Sequence, residues 1–299
     1  MRFGLHIAGF YPEDLPNLAV ACDESGWDHM AFPDAPFFPE IVETPYPYTP
    51  DGKRNWALTD PMLDPWPTIS YLAALTKQLR FVTAVLRMPI RKPLMEGKMA
   101  CTVGVLTGGR LAVGMGLGWM EEEFRFTNES MKTRGARLDE AIDIVQLCLG
   151  GGFFEYHGKH YAFERLIMEP HPPTKIPVYV GGLSEPALRR AAKRSDGWMG
   201  LLHPMADVPG IVMRLKTLRA EYGRQNEPFD ILLQPQDAAT VDDYKRLEDM
   251  GVTHCWVLPW EAIRKEGAGG SFGTFGDKAS PQEKFDAVRR FGDRVIAKF

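Results

Sequence analysis

Short β-rich runs alternate with longer amphipathic segments along the chain, and this alternation constrains the fold more than any other feature. There are eight such runs, over residues 3–7, 29–32, 80–86, 111–115, 177–180, 197–201, 230–233 and 253–258. Helix-like segments follow them, over residues 15–25, 67–77, 93–106, 134–149, 185–194, 207–222, 242–250 and 281–298. Eight strand–helix pairs are the count of a (β/α)8 TIM barrel.

Parallel strands covered on both faces read as near-continuous apolar runs, and the segments FVTAVL and CWVLP do so. A doubly wound open sheet has the same alternation and is the rival architecture. Eight regular repeats without a long break favour the barrel. We therefore predict an α/β fold in which residues 1–299 form a single (β/α)8 barrel.

The composition excludes several classes of protein. Of the 299 residues, 44% are hydrophobic and 25% are charged, the net charge is -4, and there is no Lys/Arg-rich run. These values predict no nucleic-acid partner and no binding to an anionic membrane. The N-terminus turns polar too soon for a signal peptide, and no apolar run approaches the length of a membrane span. We expect a cytoplasmic location.

The cysteines and histidines give no metal-ligand pattern. The four cysteines, Cys22, Cys101, Cys148 and Cys255, lie far apart and form no C-x-x-C pair. Buried reduced thiols are the expected outcome, with a metal or redox site as the alternative. The H-x-x-H of HGKH falls in a predicted loop without further ligands. We expect no metal site.

Three long insertions interrupt the strand–helix alternation, near residues 35–65, 150–175 and 261–280. We place all three at or near the rim formed by the carboxyl ends of the strands, where barrels build their active sites. Packing or oligomer contacts are the alternative for each of them. The glycine-rich part of 261–280 is expected to be mobile.

The segment LAVGMGLGW places Gly114, Gly116 and Gly118 at the end of the fourth strand. A dinucleotide fingerprint needs G-x-G-x-x-G, but here Trp119 stands where the last glycine belongs. Residues without a Cβ atom allow a flat ligand or its phosphate to approach the backbone closely. The alternative is that the glycines only relieve crowding at a barrel rim.

A second glycine pair, Gly181 and Gly182, lies between a predicted strand and a helix that begins near Ser184. A glycine turn before a helix presents unpaired N–H groups and the positive end of the helix dipole to a ligand. This pattern predicts a phosphate site, with an ordinary capped helix after a tight loop as the alternative.

The chain resembles the luciferase-like monooxygenase superfamily in segments that occur in the same order over about residues 1–200. The segments are DPWPTISYLAALT, RFVTAVLRMPIRKP, LTGGRLAVGMGLGW with Glu123, then Arg134, and PVYVGGLSEPALRRAA…DGW. The GGR…GxGxGW and GG…DGW blocks are specific as a set. Within the superfamily the chain is most similar to the deazaflavin (coenzyme F420)-dependent oxidoreductases of actinobacteria.

The resemblance implies a barrel that binds a flavin or deazaflavin at the carboxyl-end rim. The residues that would contact the cofactor are Thr83, Ala84, Val85, Gly116, Leu117, Gly118, Gly181, Gly182 and Ser184. The first six would lie against the tricyclic ring, and the last three would hold the phosphate. Family members often have a non-proline cis peptide under the ring, and here the matching bond is Ala84–Val85.

Two departures from the family pattern concern the chemistry. Related sugar-phosphate dehydrogenases have Asp-His after the second strand, whereas FPDAP has Asp34 followed by Ala35. They also have Glu directly after the GxGxG run, where this chain has Trp119. The base and the acid of that mechanism are therefore missing, and Trp119 is better interpreted as a pocket wall or ring partner.

The candidate catalytic residues are His6, Asp34 and Trp119, and the candidate substrate-pocket residues are Tyr46, Trp56, Arg87 and His203. We predict hydride transfer between coenzyme F420 and a small organic substrate. One alternative is an FMN-dependent two-component monooxygenase of the same fold, and another is a non-catalytic carrier or sensor of a flavin-type ligand. Arg189, Arg190 and Lys193 could hold the anionic tail of F420. The expected partners are a second copy of the chain, as a homodimer, and a reductase or dehydrogenase that supplies reduced cofactor.

Overall fold

A computed structural model of the protein describes residues 1–7, 10–49, 51–54, 56–260 and 279–299. The strands are β1 (Arg2–His6), β2 (His29–Phe32), β3 (Arg80–Thr83), β4 (Leu86–Arg87), β5 (Leu111–Gly116), β6 (Phe153–His157), β7 (Ala162–Ile167), β8 (Val178–Gly181), β9 (Gly197–His203), β10 (Asp230–Pro235) and β11 (His254–Val257). The helices are α1 (Leu15–Glu24), α2 (Pro65–Ala73), α3 (Pro93–Leu106), α4 (Glu121–Phe126), α5 (Arg134–Gly150), α6 (Glu185–Arg194), α7 (Val208–Glu221), α8 (Val241–Met250) and α9 (Pro281–Arg294).

The large sheet closes into a barrel. Its strand order is β3-β2-β1-β11-β10-β9-β8-β5-β4, and β3 also pairs with β5 through Phe81↔Leu111 and Val82↔Ala112. All of these pairings are parallel. Strands β3 and β4 are two halves of one barrel strand, interrupted at Ala84–Val85, so the barrel has eight strand positions. The predicted TIM barrel is confirmed.

Side chains alternate between the two faces of each strand and thereby fill two apolar layers. Side chains such as Phe3 and Leu5 face outward and pack with the surrounding helices in the main core. The opposite faces fill the barrel interior with Ala31, Val82, Ala112, Tyr179, Met199, Leu232 and Trp256. Because the interior is a packed core, a ligand has room only above it, at an open end of the barrel.

A buried polar chain holds Trp256 in the barrel interior. The indole Nε1 of Trp256 donates to Nε2 of His29 at 2.8 Å, and Nδ1 of His29 lies 2.9 Å from Oδ2 of Asp28. Since Nε2 accepts, the ring proton sits on Nδ1 and is donated to the carboxylate. A Cβ atom on Gly4 would lie 2.1 Å from the His29 ring, so the position of His29 in these hydrogen bonds requires glycine at position 4.

The insertion at 150–175 contains the antiparallel hairpin β6–β7. Its apolar side chains pack on the outer faces of α3 and α5, where Phe154 joins Cys101, Ile144 and Cys148. The expectation that this insertion lies at the mouth of the barrel is wrong, because it follows a helix that has already returned towards the amino ends of the strands. The four cysteines are buried and unpaired, as predicted.

The other two insertions have different outcomes. Residues from 35–65 cover the carboxyl-end rim, as predicted. The helix after this insertion begins at Pro65 and not at the predicted residue 67. It begins there because the side chain of Asp64 accepts a hydrogen bond from Trp66 N–H and caps α2. The prediction of a mobile glycine-rich stretch in 261–280 falls almost entirely outside the described residues.

Within the part of the chain that the structure describes, none of the helices combines the length and the apolar character needed to cross a bilayer.

Candidate functional site

A cavity of about 460 Å³ opens at the carboxyl ends of the barrel strands. Fourteen of the predicted site residues line it: His6, Asp34, Tyr46, Trp56, Ala84, Val85, Arg87, Gly116, Leu117, Gly118, Trp119, Gly181, Gly182 and Ser184. Thr83 and His203 do not line it. The structure thus gathers residues from the ends of five barrel strands and from the 35–65 insertion around one space.

One wall of the cavity is formed where β3 gives way to β4. The Ala84–Val85 peptide is cis, as predicted. The Val85 side chain fills the space over two glycines, since a Cβ on Gly116 would lie 2.4 Å from Val85 Cγ2 and one on Gly181 would lie 3.1 Å from Val85 Cγ1. Glycine at 116 and 181 therefore makes room for Val85, and Val85 is the surface presented to a ligand.

The other glycines of LAVGMGLGW have separate reasons. A Cβ on Gly114 would lie 2.1 Å from the Thr83 carbonyl oxygen, so this position is glycine because of contacts between strands. Gly118 has a φ of +74°, which favours glycine at the end of the strand. The idea that all three glycines admit a flat ligand is wrong for Gly114.

Thr83 lies behind the cavity wall. Its hydroxyl donates to the Gly114 carbonyl at 2.9 Å and accepts from the Gly114 N–H at 2.8 Å. The side chain is fully buried and cross-links β3 to β5. The prediction that Thr83 contacts the ring is not matched by its position.

The N-terminus of α6 also lines the cavity. Gly182 has a φ of +122°, and Ser184 precedes the helix with extended backbone and no side-chain capping hydrogen bond. Arg134, the first residue of α5, lines the same cavity. Its Nη1 donates to the Met131 carbonyl at 2.8 Å, whereas its buried Nε has no hydrogen-bond partner among the residues that the structure describes. A cation and a helix N-terminus therefore line the same cavity, which suits a phosphate.

In the sequence Arg134 stands out only as part of a family motif, because no local spacing marks it as a ligand. The three cations predicted for an anionic tail lie elsewhere. Arg189 pairs with Glu185 at 2.8 Å and with Glu221, Arg190 pairs with Asp139 at 2.6 Å, and Lys193 lies over the Tyr222 ring. None of the three lines the cavity.

Asp34 is buried and already engaged. Its Oδ1 accepts from Arg91 Nη2 at 2.6 Å, and its Oδ2 accepts from Arg91 Nε at 3.1 Å and from the Arg87 backbone N–H at 2.8 Å. A carboxylate with both oxygens held in this way fixes the start of β4 and is poorly suited to take a proton from a substrate. The predicted catalytic role of Asp34 finds no support in this geometry.

His6 forms part of the cavity floor next to Trp256, with ring centroids 5.8 Å apart. Burial lowers its pKa to about 4, and a hydrogen bond with the Ala84 backbone partly offsets that effect. A neutral imidazole at physiological pH that holds Ala84 is a positioning group for the cavity wall. The candidate catalytic role of His6 stays a prediction.

Aromatic side chains of the 35–65 insertion close the mouth of the cavity. Tyr46 is in edge contact with Trp56 at 4.8 Å and with Trp119 at 5.2 Å, and it lies 5.5 Å from Tyr48. Trp119 is thus a wall of the pocket. The insertion is fastened by Glu122, whose carboxylate accepts from the N–H groups of Glu43 and Thr44 and from the Thr44 hydroxyl.

Arg87 brings a positive charge to the cavity, and the charge is neutralised from behind. Its Nη1 donates to Glu123 Oε1, and Glu123 is completely buried. Burial lowers the pKa of Arg87, while Asp34 and Tyr46 act to raise it. Because the ion pair is internal, Arg87 can donate hydrogen bonds into the cavity without giving it a large net charge.

His203 lies at the end of β9, outside the cavity lining. Its ring packs against Trp198 with centroids 5.6 Å apart, and burial lowers its pKa. The prediction that His203 belongs to the substrate pocket is not matched by its position. Among the described residues, no group of three or more His, Cys, Asp or Glu side chains could hold a metal ion.

Comparisons with known proteins agree with this architecture. A sequence model described as luciferase-like monooxygenase matches residues 3–290. An uncharacterised protein of Mycobacterium tuberculosis is 36% identical over 285 residues, which cover 94% of each chain. An F420-dependent glucose-6-phosphate dehydrogenase of Nakamurella multipartita is 24% identical over 264 residues, covering 86% of this chain and 72% of the relative.

Among solved structures, the FMN complex of the oxygenating constituent of 3,6-diketocamphane monooxygenase from Pseudomonas putida is similar. Its TM-score is 0.65 at 15% identity, with 100% of this chain and 98% of that chain covered. The neighbours therefore include both an F420-dependent and an FMN-binding protein.

Proposed function

The chain belongs to the luciferase-like monooxygenase family, and from that premise we propose that it is an oxidoreductase that transfers a hydride between coenzyme F420 and a small organic substrate. The observation that carries the proposal is the single cavity that joins a ring-sized wall at Ala84, Val85 and Gly116 to a phosphate site at Gly182 and Arg134. A flat cofactor with a phosphate on its side chain needs both features at once.

The residues present fit such a group. The unpartnered Nε of Arg134 and the uncapped start of α6 are suited to a phosphate. The apolar wall at Val85 and Leu117 is suited to an aromatic ring system. When bound, a deazaflavin would supply a hydride donor or acceptor at its C5 carbon.

The chain itself would orient the ring and exclude water. Val85, held between Gly116 and Gly181, supports one face of the ring site. His6 holds the Ala84 backbone from below, and Asp34 fixes the start of β4 through the Arg87 N–H. The aromatic side chains Tyr46, Trp56 and Trp119 cover the mouth. This arrangement keeps the reacting atoms oriented and dry.

FMN is the second candidate cofactor, and it would make the protein the flavin-binding component of a two-component monooxygenase. The observation that favours it is the state of the predicted tail-binding cations. Since Arg189, Arg190 and Lys193 are engaged outside the cavity, they offer no cationic site for the longer anionic tail of F420.

Titration of the purified protein with F420 and with FMN tests the choice of cofactor, with cofactor fluorescence and absorption as the readout. We expect F420 to bind more tightly. Tight binding of FMN without binding of F420 would replace the first proposal by the second. Tight binding of reduced F420 that no carbonyl, enone or alcohol substrate turns over would favour a carrier or sensor.

Arg134→Gln tests the phosphate site directly. Loss of one charged hydrogen-bonding group is expected to weaken binding of the phosphate-bearing cofactor by about 10- to 100-fold. Binding of the phosphate-free deazaflavin chromophore should not change. Arg189→Gln is the matched control, because Arg189 pairs with Glu185 and Glu221 outside the cavity. An equal loss of affinity for the phosphate-bearing cofactor and for the phosphate-free chromophore would show that Arg134 does not bind the phosphate.

The homodimer and the reductase partner stay predictions. Exposed apolar side chains of α2 and α3, among them Tyr71, Met95 and Leu106, provide a surface for a second copy. Sedimentation equilibrium measures this directly, and a monomer at micromolar concentration would contradict it.

A further inference from the structure

Among the described residues that line the cavity, four in or next to the 35–65 insertion carry hydrogen-bond donors. They are the hydroxyls of Tyr46 and Tyr48, the guanidinium of Arg87 and the indole N–H of Trp56, and we call them the donor corner. Three of the four residues come from the 35–65 insertion. Trp119 packs on the Tyr46 ring, so the residue that replaces an acid of the related dehydrogenases helps to build this corner.

These donors have few partners within the protein. Trp56 Nε1 is buried, and no hydrogen bond joins it to another group in the described part of the chain. Among the described residues, no hydrogen bond joins the hydroxyl of Tyr46 or Tyr48 to another group, while Arg87 interacts electrostatically with both. A buried donor without an acceptor costs free energy, so the Trp56 N–H is placed to receive an acceptor from a ligand.

Among the described residues at the cavity, the carboxylates and the imidazole each already have a partner. Asp34 has both oxygens occupied by Arg91 and by the Arg87 N–H. Burial keeps His6 a weak base by lowering its pKa to about 4, and Glu123 is paired with Arg87 behind the wall. Burial raises the pKa values of Tyr46 and Tyr48, so both stay protonated donors. Reduction of a carbonyl needs hydrogen-bond donors to its oxygen, and the donor corner supplies them.

We infer that the substrate is an apolar ketone, aldehyde or enone, and that the enzyme reduces it with its carbonyl oxygen in the donor corner. The apolar remainder of the substrate would lie against Phe38, Trp119 and Leu201. This inference rests on the proposed function, since it requires a reduced cofactor over the wall at Val85.

The step balances as a two-electron reduction. The carbonyl carbon, or the β-carbon of an enone, accepts a hydride from the bound reduced cofactor, and the C=O π pair moves to oxygen. Tyr46, Arg87 and Trp56 stabilise the developing oxyanion by hydrogen bonds. A tyrosine hydroxyl then gives its proton to the product, and Tyr48, which is 38% exposed, can regain a proton from solvent. The products are the alcohol or saturated ketone and the oxidised cofactor.

The first test is spectroscopic and needs no turnover. Acetophenone labelled with ¹³C at its carbonyl is added to the protein saturated with oxidised cofactor, and the carbonyl resonance is recorded. We expect a downfield shift relative to free acetophenone, because hydrogen-bond donors polarise the carbonyl. In Tyr46→Phe, in Tyr48→Phe and in the double variant, the resonance should return towards the free position. Affinity should fall about 3- to 10-fold per hydroxyl, since a neutral hydrogen bond contributes about 0.5–1.5 kcal/mol.

Tyr156→Phe is the matched control, because Tyr156 lies on the β6–β7 hairpin and does not line the cavity. Ethylbenzene, which has no carbonyl, should bind equally well to the wild type and to the Phe variants. A carbonyl resonance unshifted in the wild type, or shifted equally in the double variant, would overturn the inference.

The second test compares directions of reaction with a panel of ketones, enones and secondary alcohols. We expect reduced cofactor to be oxidised by the carbonyl compounds, with kcat lowered in the Phe variants and cofactor affinity unchanged. If F420 binds but only alcohols react, the inference fails and the proposed function stands. If no cofactor binds, the proposed function fails and the inferred reaction fails with it.

Discussion

At the scale of single residues, the cavity wall depends on the absence of one atom at position 116. Gly116→Ala would place a Cβ 2.4 Å from Val85 Cγ2 in a closely packed region. We expect a loss of about 1–3 kcal/mol in the free energy of unfolding from overpacking, together with weaker cofactor binding because Val85 must move. Urea denaturation measures the first effect and cofactor titration the second.

Gly210→Ala is the control for that substitution, because a Cβ at this exposed position of α7 meets nothing within 4 Å. It should be neutral or stabilise the helix by up to about 1 kcal/mol. Equal destabilisation by both substitutions would mean that the contact with Val85 does not limit position 116.

Asp34 offers a second test at this scale, which distinguishes a structural role of its carboxylate from a catalytic one. Asp34→Asn leaves Arg91 with one fewer buried counter-charge and is expected to lower the free energy of unfolding by about 3 kcal/mol. Asp64→Asn is the control: Asp64 also contacts Arg91, at 3.4 Å, but its side chain is 45% exposed, and Asn retains the capping of α2. It should change stability by less than about 1 kcal/mol. If Asp34→Asn abolished turnover at unchanged stability, Asp34 would be a catalytic residue instead.

At the scale of elements, the 35–65 insertion is coupled to the barrel through the first turn of α4. Glu122 accepts hydrogen bonds from the Glu43 and Thr44 N–H groups and from the Thr44 hydroxyl. Glu122→Ala should speed hydrogen exchange at the amides of residues 43 and 44 and raise KM, because the aromatic cover loosens. Glu121→Ala, at an exposed neighbouring position, should do neither.

The same contact has a pH dependence. Burial acts to raise the pKa of Glu122, but the hydrogen bonds it accepts outweigh that effect and place its pKa below the ordinary value of 4.5. The stabilisation is therefore present above pH 4.5 and is lost as the pH falls further. Exchange at residues 43 and 44, corrected for intrinsic rates, should rise below that pH in the wild type and show no such dependence in Glu122→Ala.

At the scale of the whole molecule, buried neutral histidines make stability depend on pH. Burial lowers the pKa of His6 to about 4 and of His254 to about 3, from 6.5 in the unfolded chain. The unfolded state therefore binds more protons between these values, and stability falls as the pH drops below 6.5. At pH 5, each of the two should have removed about 2 kcal/mol from the free energy of unfolding at neutral pH.

Urea denaturation between pH 7.5 and pH 5 measures this slope. The two histidines together lower the free energy of unfolding over this pH range. His254→Asn should remove roughly half of that decrease, because Asn does not titrate in this range. A slope unchanged by the substitution would show that His254 is not the group that takes up the proton.

Local sequence patterns determined the elements and their order. The bounds of α3, α6 and β2 follow from periodicity, from proline near the start of each helix and from the β-rich run HMAF, all of which act over a few residues. The glycine turn before α6 likewise predicted a phosphate site from neighbouring residues alone. Eight repeats of this kind leave few ways to close a parallel sheet, so the barrel could be predicted as well.

Only the tertiary structure decided what the site residues do. Asp34 is held by Arg91, which is 57 positions away, and Gly116 makes room for Val85, 31 positions away. Tyr46 meets Trp119 across the mouth, while Arg190 is drawn to Asp139 and away from the cavity. No local pattern encodes these contacts, because they arise where the ends of parallel strands, far apart in the chain, converge on one rim. The sequence therefore determined where a cofactor site can form, and the packing at that rim decided which side chains face it.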